Sequence, residues 1–257
     1  MIDIHAHILP DLDDGSEDME ESLEMAELAV ESGVEIMAAT PHSNQMGRFE
    51  NFQSEQLQTA FERLRMVLKK EKIPLKILNG MEIFGLRGYC TEDKNKQLSG
   101  INGTDYYLVE FPFDADPWWI RGCLEDIFDA GKIPLIAHPE RYFCIQDYPE
   151  LIYEWVQNGC VTQMNKGSIL ERFGRNVMET ARILLRNDLI SCIASDAHRS
   201  YIRTPHMGEA KKALVHIGGY GYAWHLTDEN PERIIKNIQV PLHGRRQNGE
   251  KKYFMPV

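Results

Sequence analysis

Histidines and carboxylates fall at one recurring kind of place in this sequence, the downstream end of a short apolar run. His5 and His7 close MIDIHAH, and His42 closes AATPH. Glu82 lies in NGME, Glu110 in YLVEFPF and His138 in PLIAHPER. Asp196 and His198 close IASDAH. A buried carboxylate without a partner is costly, so Glu110, between Val109 and Phe111, needs a cation. In an extended segment residues i and i+2 point the same way. Both imidazoles of His5-x-His7 can therefore reach one ion, and the spacing recurs as Asp196-x-His198. The donors are imidazole and carboxylate with no thiolate, which suits Mn, Fe, Zn or Co better than a Cys-rich structural zinc. Eight donors exceed what one ion takes. A two- or three-metal cluster with a bridging carboxylate fits better, and such clusters activate water and neutralise oxyanions in phosphoester hydrolysis.

The elements that must position these donors alternate along the chain. Apolar runs predict strands over 2–4, 34–39, 76–78, 106–110, 133–137, 160–164 and 189–194. Helical periodicity marks 20–32, 52–70, 118–130, 151–157, 175–187 and 209–216, with Gly33, Gly131 and Gly159 as stops. About seven βα units in one run, without a Pro- or Ser-rich linker, predict an α/β fold. The expected form is a distorted parallel (β/α)7 barrel, whose strand C-termini open on one face and gather the donors there. An open doubly wound sheet would place its site at one crevice and usually show a glycine-rich phosphate loop, which the sequence lacks. The sixth strand offers Asn165 where the others offer an acid or a histidine. Residues 83–103 read as a hairpin or excursion, and 240–257, with His243, Arg245, Arg246, Lys251 and Lys252, as a surface tail on a single domain spanning 1–257.

Composition narrows the function. The 257 residues carry 28 Lys and Arg against 39 Asp and Glu, a net charge of −11. That balance argues against a broad nucleic-acid surface, though not against a metal-dependent nuclease. No run approaches the roughly 20 apolar residues of a membrane span, and the N-terminus has no signal-peptide pattern. Five scattered cysteines without a CxxC pair read as reduced thiols of a cytoplasmic protein. None has an arginine six residues on, so thiol-phosphatase chemistry is not expected.

The blocks MIDIHAHILPDLDDGSEDMEESLEMA, AATPH, NGMEI, YYLVEFPF, PLIAHPERY and IASDAHRSYIRTPHM resemble the PHP (polymerase and histidinol phosphatase) superfamily. More closely, the chain resembles the manganese-dependent bacterial protein tyrosine phosphatases of capsule and exopolysaccharide loci, the CpsB/YwqE type. The resemblance implies the PHP fold and three divalent ions, Mn2+ foremost with Fe, Zn or Co as alternatives. It implies His5, His7, Glu82 and Asp196 on the first ion. Glu82 would bridge to a second held with Glu110 and His138, and Asp14, His42 and His198 would hold the third. Asp13 is the fallback for Asp14. Three divalent cations would outweigh the four carboxylates and leave a pocket suited to a phosphate dianion.

Arg141 and Arg203 are implied as phosphate-binding residues, since an arginine fork matches two phosphate oxygens; Arg199 competes with Arg203. The implied reaction is in-line attack by a metal-bridging hydroxide, with His42 or His198 near the leaving group. The implied partner is the tyrosine-phosphorylated tail of a bacterial tyrosine autokinase, flexible enough to reach an open site. Departures from the family pattern are Ala6 and Asp11, where Ser and Gly are common, and the less familiar segments 46–51 and 86–103, which bear on substrate preference. Competing expectations are a histidinol-phosphatase-like small-molecule phosphatase, a nuclease, an amidohydrolase, and a non-catalytic metal- or phosphotyrosine-binding regulator.

Overall fold

Strands buried on both faces alternate between two apolar environments, and that alternation builds the frame. A computed structural model describes residues 1–88, 97–241 and 244. Its strands are β1 (Ile2–Ala6), β2 (Ile36–Ala39), β3 (His42–Ser43), β4 (Lys76–Asn79), β5 (Glu82–Phe84), β6 (Tyr106–Glu110), β7 (Ile133–Ala137), β8 (Val161–Asn165) and β9 (Cys192–Ala194). All pairings between them are parallel, in the orders β1-β2-β4 and β3-β5-β6-β7-β8-β9. β3 continues β2 past Thr40 and Pro41, where proline removes a ladder donor. β5 likewise continues β4 past Gly80, whose missing Cβ would lie 2.9 Å from the Thr40 side chain. β1 closes on β9: Asp196 N donates to His5 O at 2.9 Å and His7 N to Ala197 O at 2.8 Å. The nine pieces thus form seven staves of a closed parallel barrel, as expected.

Ile4, Ala38, Leu78, Leu108, Leu135, Val161 and Ala194 meet in the inner cluster. Their strand neighbours Met37, Ile77, Val109, Ile136 and Ile193 pack outward against the helices. Those helices include α1 (Met19–Glu31), α2 (Glu55–Lys70) and α3 (Pro117–Asp129), followed by the short α4 (Phe143–Asp147), α5 (Glu150–Gln157) and α6 (Lys166–Ile169). α7 (Arg175–Arg186), α8 (Gly208–Trp224) and α9 (Asn230–Ile235) complete the set among the described residues. Side-chain caps from Asp18, Ser54 and Asp116 set the first three starts. The Ser54 cap explains why α2 begins at Glu55 and not at 52.

Some expectations are corrected. Ile83 belongs to β5 and pairs in parallel with β6, so no hairpin begins there; residues 89–96 lie outside the described residues. α8 runs past 216 to Trp224 through a kink at Gly219, whose φ of 84° suits glycine. Val240 is core, not tail: it is 1% exposed and its N–H donates to the Tyr106 hydroxyl. Beyond it, 242, 243 and 245–257 lie outside the described residues.

Candidate metal centre

Continuing each strand's inward series by one step reaches the donors. Leu108 leads to Glu110, Val161 to Gln163 and Asn165, and Ala194 to Asp196. β1 breaks this rule. Ile4 faces inward, yet Ala6 packs in the outer cluster, and the pairing of β1 with β2 shifts register between Asp3 and Ala6. This extra residue, a bulge, turns both His5 and His7 into the barrel mouth. His138 arrives differently. It takes a left-handed backbone, φ 36° and ψ 54°, immediately after β7. Asp196 (φ 48°) and Arg203 (φ 50°) share that region, where non-glycine residues are strained and cluster at functional sites.

The ring nitrogens of His5 and His7 are assigned by their neighbours. His5 Nδ1 lies 2.8 Å from Gln163 Oε1, while the amide nitrogen of Gln163 donates to Asn165 Oδ1 at 2.9 Å. His7 Nδ1 lies 2.7 Å from Asp13 Oδ2. With Nδ1–H donating in both rings, the two Nε2 atoms, once neutral, point lone pairs at each other across 3.3 Å. Carboxylate oxygens of Glu82 and Asp196 face the same point at 3.2–3.5 Å. Acceptors converging this way fit a cation, and a fixed Nδ1–H partner is the usual companion of a ligating histidine.

Glu82 is the hub. Its Oε1 meets His5 at 3.2 Å and His138 at 3.0 Å, and its Oε2 meets His7 at 3.2 Å and His42 at 3.0 Å. His42 Nδ1 also reaches Glu110 at 2.9 Å, and His42 and His198 share Asp14 Oδ1 at 3.2 and 3.4 Å. Three sets result, each with donor atoms within 4.8 Å of one another: His5–His7–Asp196, His42–Glu82–Glu110 and His7–Asp14–His42–His198. These are consistent with several divalent ions. All nine residues expected as metal ligands come together. The grouping differs from the expected one: His7 also joins the Asp14–His42–His198 set, and His42 sits between Glu82 and Glu110 whereas the ion pair of His138 is with Glu82.

Charge follows contact. Burial opposes a charge on His7, but Asp13 overrides it and raises its pKa well above the usual imidazole value. Glu82 does the same for His42. Burial also opposes ionised Glu82, yet His5 and His42 pull its pKa well below the carboxylate range. Against the same penalty Arg203, then His5, lowers Asp196. Burial and the neighbouring His7 lower His198.

Above these groups opens a cavity of about 610 Å3, lined by Asp14, His42, Glu82, Glu110, His138, Asp196 and His198 together with Arg141 and Arg203. Arg203 Nη2 contacts Asp196 Oδ2 closely, and Nη1 lies 3.2 Å from His198 Nε2. Arg199 turns away to Glu17 and Glu21, at 2.9 and 3.0 Å. Arg203, not Arg199, therefore faces the cavity.

The sequence family described as capsular polysaccharide synthesis, CpsB/CapC, matches residues 1–236. The chain belongs to the CpsB/CapC family. It is 40% identical over 241 residues to the tyrosine-protein phosphatase YwqE of Bacillus subtilis, covering 93% of each chain. It is 33% identical over 245 residues to the tyrosine-protein phosphatase CpsB of Streptococcus agalactiae, covering 93% of this chain and 100% of that protein. Among solved structures, a chain from the crystallography of YwqE from Bacillus subtilis and CpsB from Streptococcus pneumoniae, described as unique metal-dependent tyrosine phosphatases, superposes with a TM-score of 0.85. It is 38% identical, over 96% of this chain and 100% of that one.

This CpsB/CapC chain also uses residues that the sequence reading assigned otherwise or passed over. Asp13, expected only as a fallback ligand, instead accepts from His7 Nδ1, from His42 N at 2.8 Å and from Gly15 N at 2.9 Å. Gln163 orients His5, Asn165 donates to Asp196 Oδ2, and Gln45 donates to Glu110 at 2.6 Å. Polar residues in the buried strand VTQMN were the available signal for the first two. Among the described cysteines, burial pushes the Cys144 thiol up to about 11 and raises Cys160 and Cys192 further, which suits inert thiols.

Proposed function

We propose that this chain is a metal-dependent protein-tyrosine phosphatase acting in the cytoplasm on the phosphorylated tyrosine-rich tail of a bacterial tyrosine autokinase, and so regulating capsular or extracellular polysaccharide synthesis. The observation that carries this reading is the convergence of four imidazole nitrogens on the two oxygens of Glu82, in a cavity that two arginines also line. We assign His5, His7, Glu82 and Asp196 to a first ion, Glu82, Glu110 and His138 to a second, and Asp14, His42 and His198 to a third, with Mn2+ as the native metal. Ions held there supply a lowered water pKa and neutralisation of phosphoryl charge. Arg141 and Arg203 bind the equatorial phosphoryl oxygens, where a guanidinium fork is strongest. His42 Nε2 and His198 Nε2 share the Asp14 side of the cavity, and with both rings engaged as ligands a water on that side would give the leaving phenolate its proton. No described helix is long and apolar enough to cross a membrane. An extended flexible kinase tail can reach the open cavity.

The test is a substrate panel on purified protein whose metal content has been measured. Phosphotyrosine peptide and p-nitrophenyl phosphate should be hydrolysed with Mn2+ and not with EDTA. Turnover of histidinol phosphate in preference to the peptide would move the chain to the small-molecule class. Metal-loaded protein inert toward every phosphomonoester would leave a binding regulator.

A further inference from the structure

Something must aim the Arg141 side chain, and its ion pair does so weakly: Nη1 lies 3.7 Å from Asp196 Oδ2, an oxygen that Arg203 contacts far more closely. Three successive strand-end loops meet at this arginine. Phe113 follows β6, Arg141 follows β7, and Phe173 follows α6 on the way to α7. The guanidinium carbon sits 4.4 Å from the Phe113 ring centroid and 4.7 Å from that of Phe173. Both are cation–π distances, and a planar guanidinium stacks on aromatic faces as an ammonium does not.

We propose that Phe113 and Phe173 form an aromatic clamp that holds Arg141 in its phosphate-binding pose, which makes both phenylalanines positioning residues. The clamp rests on the reading of Arg141 as a phosphate-binding residue. An arginine that is free in solvent loses rotamer freedom when it grips an anion; a stacked one has lost that freedom on folding, so binding is less costly.

The surroundings are built for the clamp. A Cβ on Gly167 would lie 2.6 Å from the Phe173 ring, so only glycine there leaves the ring its seat. Buried Glu140 accepts from Asn165 N at 3.0 Å and from the Ser168 hydroxyl at 2.6 Å, tying the Arg141 turn to α6. Gln146 donates to the carbonyls of Glu140 and Arg141, both at 3.2 Å. The Glu140 and Gln146 side chains thus fix the loops, and the rings fix the Arg141 side chain. Phe113 is 38% exposed and lines the cavity, an odd place for a ring whose task is core packing alone.

The experiment uses the full chain loaded with manganese. Phe113→Leu, Phe173→Leu and Gly167→Ala are made in the Arg141 protein and again in an Arg141→Lys background. Hydrolysis of p-nitrophenyl phosphate gives kcat and KM, and inorganic phosphate as competitive inhibitor gives a binding constant. In the Arg141 protein each ring change should raise KM and the phosphate constant about three- to thirtyfold, with kcat within about twofold. In the lysine background the same changes should shift either constant by less than about twofold.

Equal effects in the two backgrounds, or a fall in kcat at unchanged KM, would overturn the clamp. Gly167→Ala displaces the Phe173 ring without deleting it, and so carries the test if Phe173→Leu does not fold. If the parent protein fails to hydrolyse the aryl phosphate, the phosphatase reading falls on its own. The clamp is then decided by calorimetric binding of phosphate to the same variants, and no binding by the parent protein overturns it too.

Discussion

The floor and the rim of the cavity are built to different standards. On the floor, His5, His7 and Glu82 are at most 1% exposed and Asp196 2%, and each histidine is held from behind by a polar partner, Gln163 or Asp13. At the rim, Asp14 is 41% exposed, and Arg48 reaches it only at 3.5 Å while itself 64% exposed. At the rim, Arg141 is held by ring stacking and a long ion pair, and only Arg203 makes a close contact with the floor. The difference separates two tasks. Ion coordination demands donors set within a few tenths of an ångström, which buried hydrogen bonds provide. Recognition of a flexible phosphorylated segment tolerates, and gains from, side chains that adjust.

The contrast breaks first at Glu82. Glu82→Gln keeps the size but removes the charge that four imidazoles share. Turnover and bound metal should both fall by more than the roughly 10–100-fold typical of outer hydrogen-bond partners. Elemental analysis beside a phosphatase assay checks this, and retention of full metal content would show that the floor does not centre on Glu82.

Asp13→Ala and Gln163→Ala come next, each expected to cost roughly 10–100-fold in metal affinity with little change in KM for substrate. Metal titration decides. A change in KM alone would make these residues part of the rim.

Protonation sharpens the contrast further. The raised pKa values of His7 and His42 mean that an incoming divalent ion must displace protons. Apparent Mn2+ affinity should therefore rise with pH and level off once those rings are neutral. Calorimetry in buffers of different ionisation enthalpy should register proton release, and a pH-independent affinity would contradict it.

The smallest effects belong to the rim. Arg203→Ala should raise KM and reduce bound metal less than Asp13→Ala does. Arg199→Ala, which removes surface pairs with Glu17 and Glu21, should alter stability by less than about 1 kcal/mol and leave kinetics alone. Thermal unfolding and steady-state kinetics of the two variants make the comparison.

The sequence made the donors legible because each ends an apolar run, and the parallel barrel then gathers run ends without further information. The helices α1, α2 and α3 were legible within a few residues from periodicity and caps. The bulge in β1 was not, since one added residue in IDIHA leaves no periodic trace although it decides which way the histidines face. β3 and β5 are too short for any pattern to show. In DLDDG two adjacent acids are chemically equivalent, and only the fold distinguishes Asp14, which faces two imidazoles, from Asp13, which steadies a third. Val240 reads as part of the polar tail because nothing local reveals that the Tyr106 hydroxyl, far upstream, accepts its N–H.

The seam between β1 and β9 has a consequence for biosynthesis. Ser195 and His5 bond to each other 190 residues apart, so this junction is a contact of very high sequence separation, a kind expected to form slowly. During translation His5 and His7 emerge first and must wait for Asp196 to leave the ribosome before the cage can close. A chain that ends before Asp196 and His198 therefore presents an incomplete set of donors.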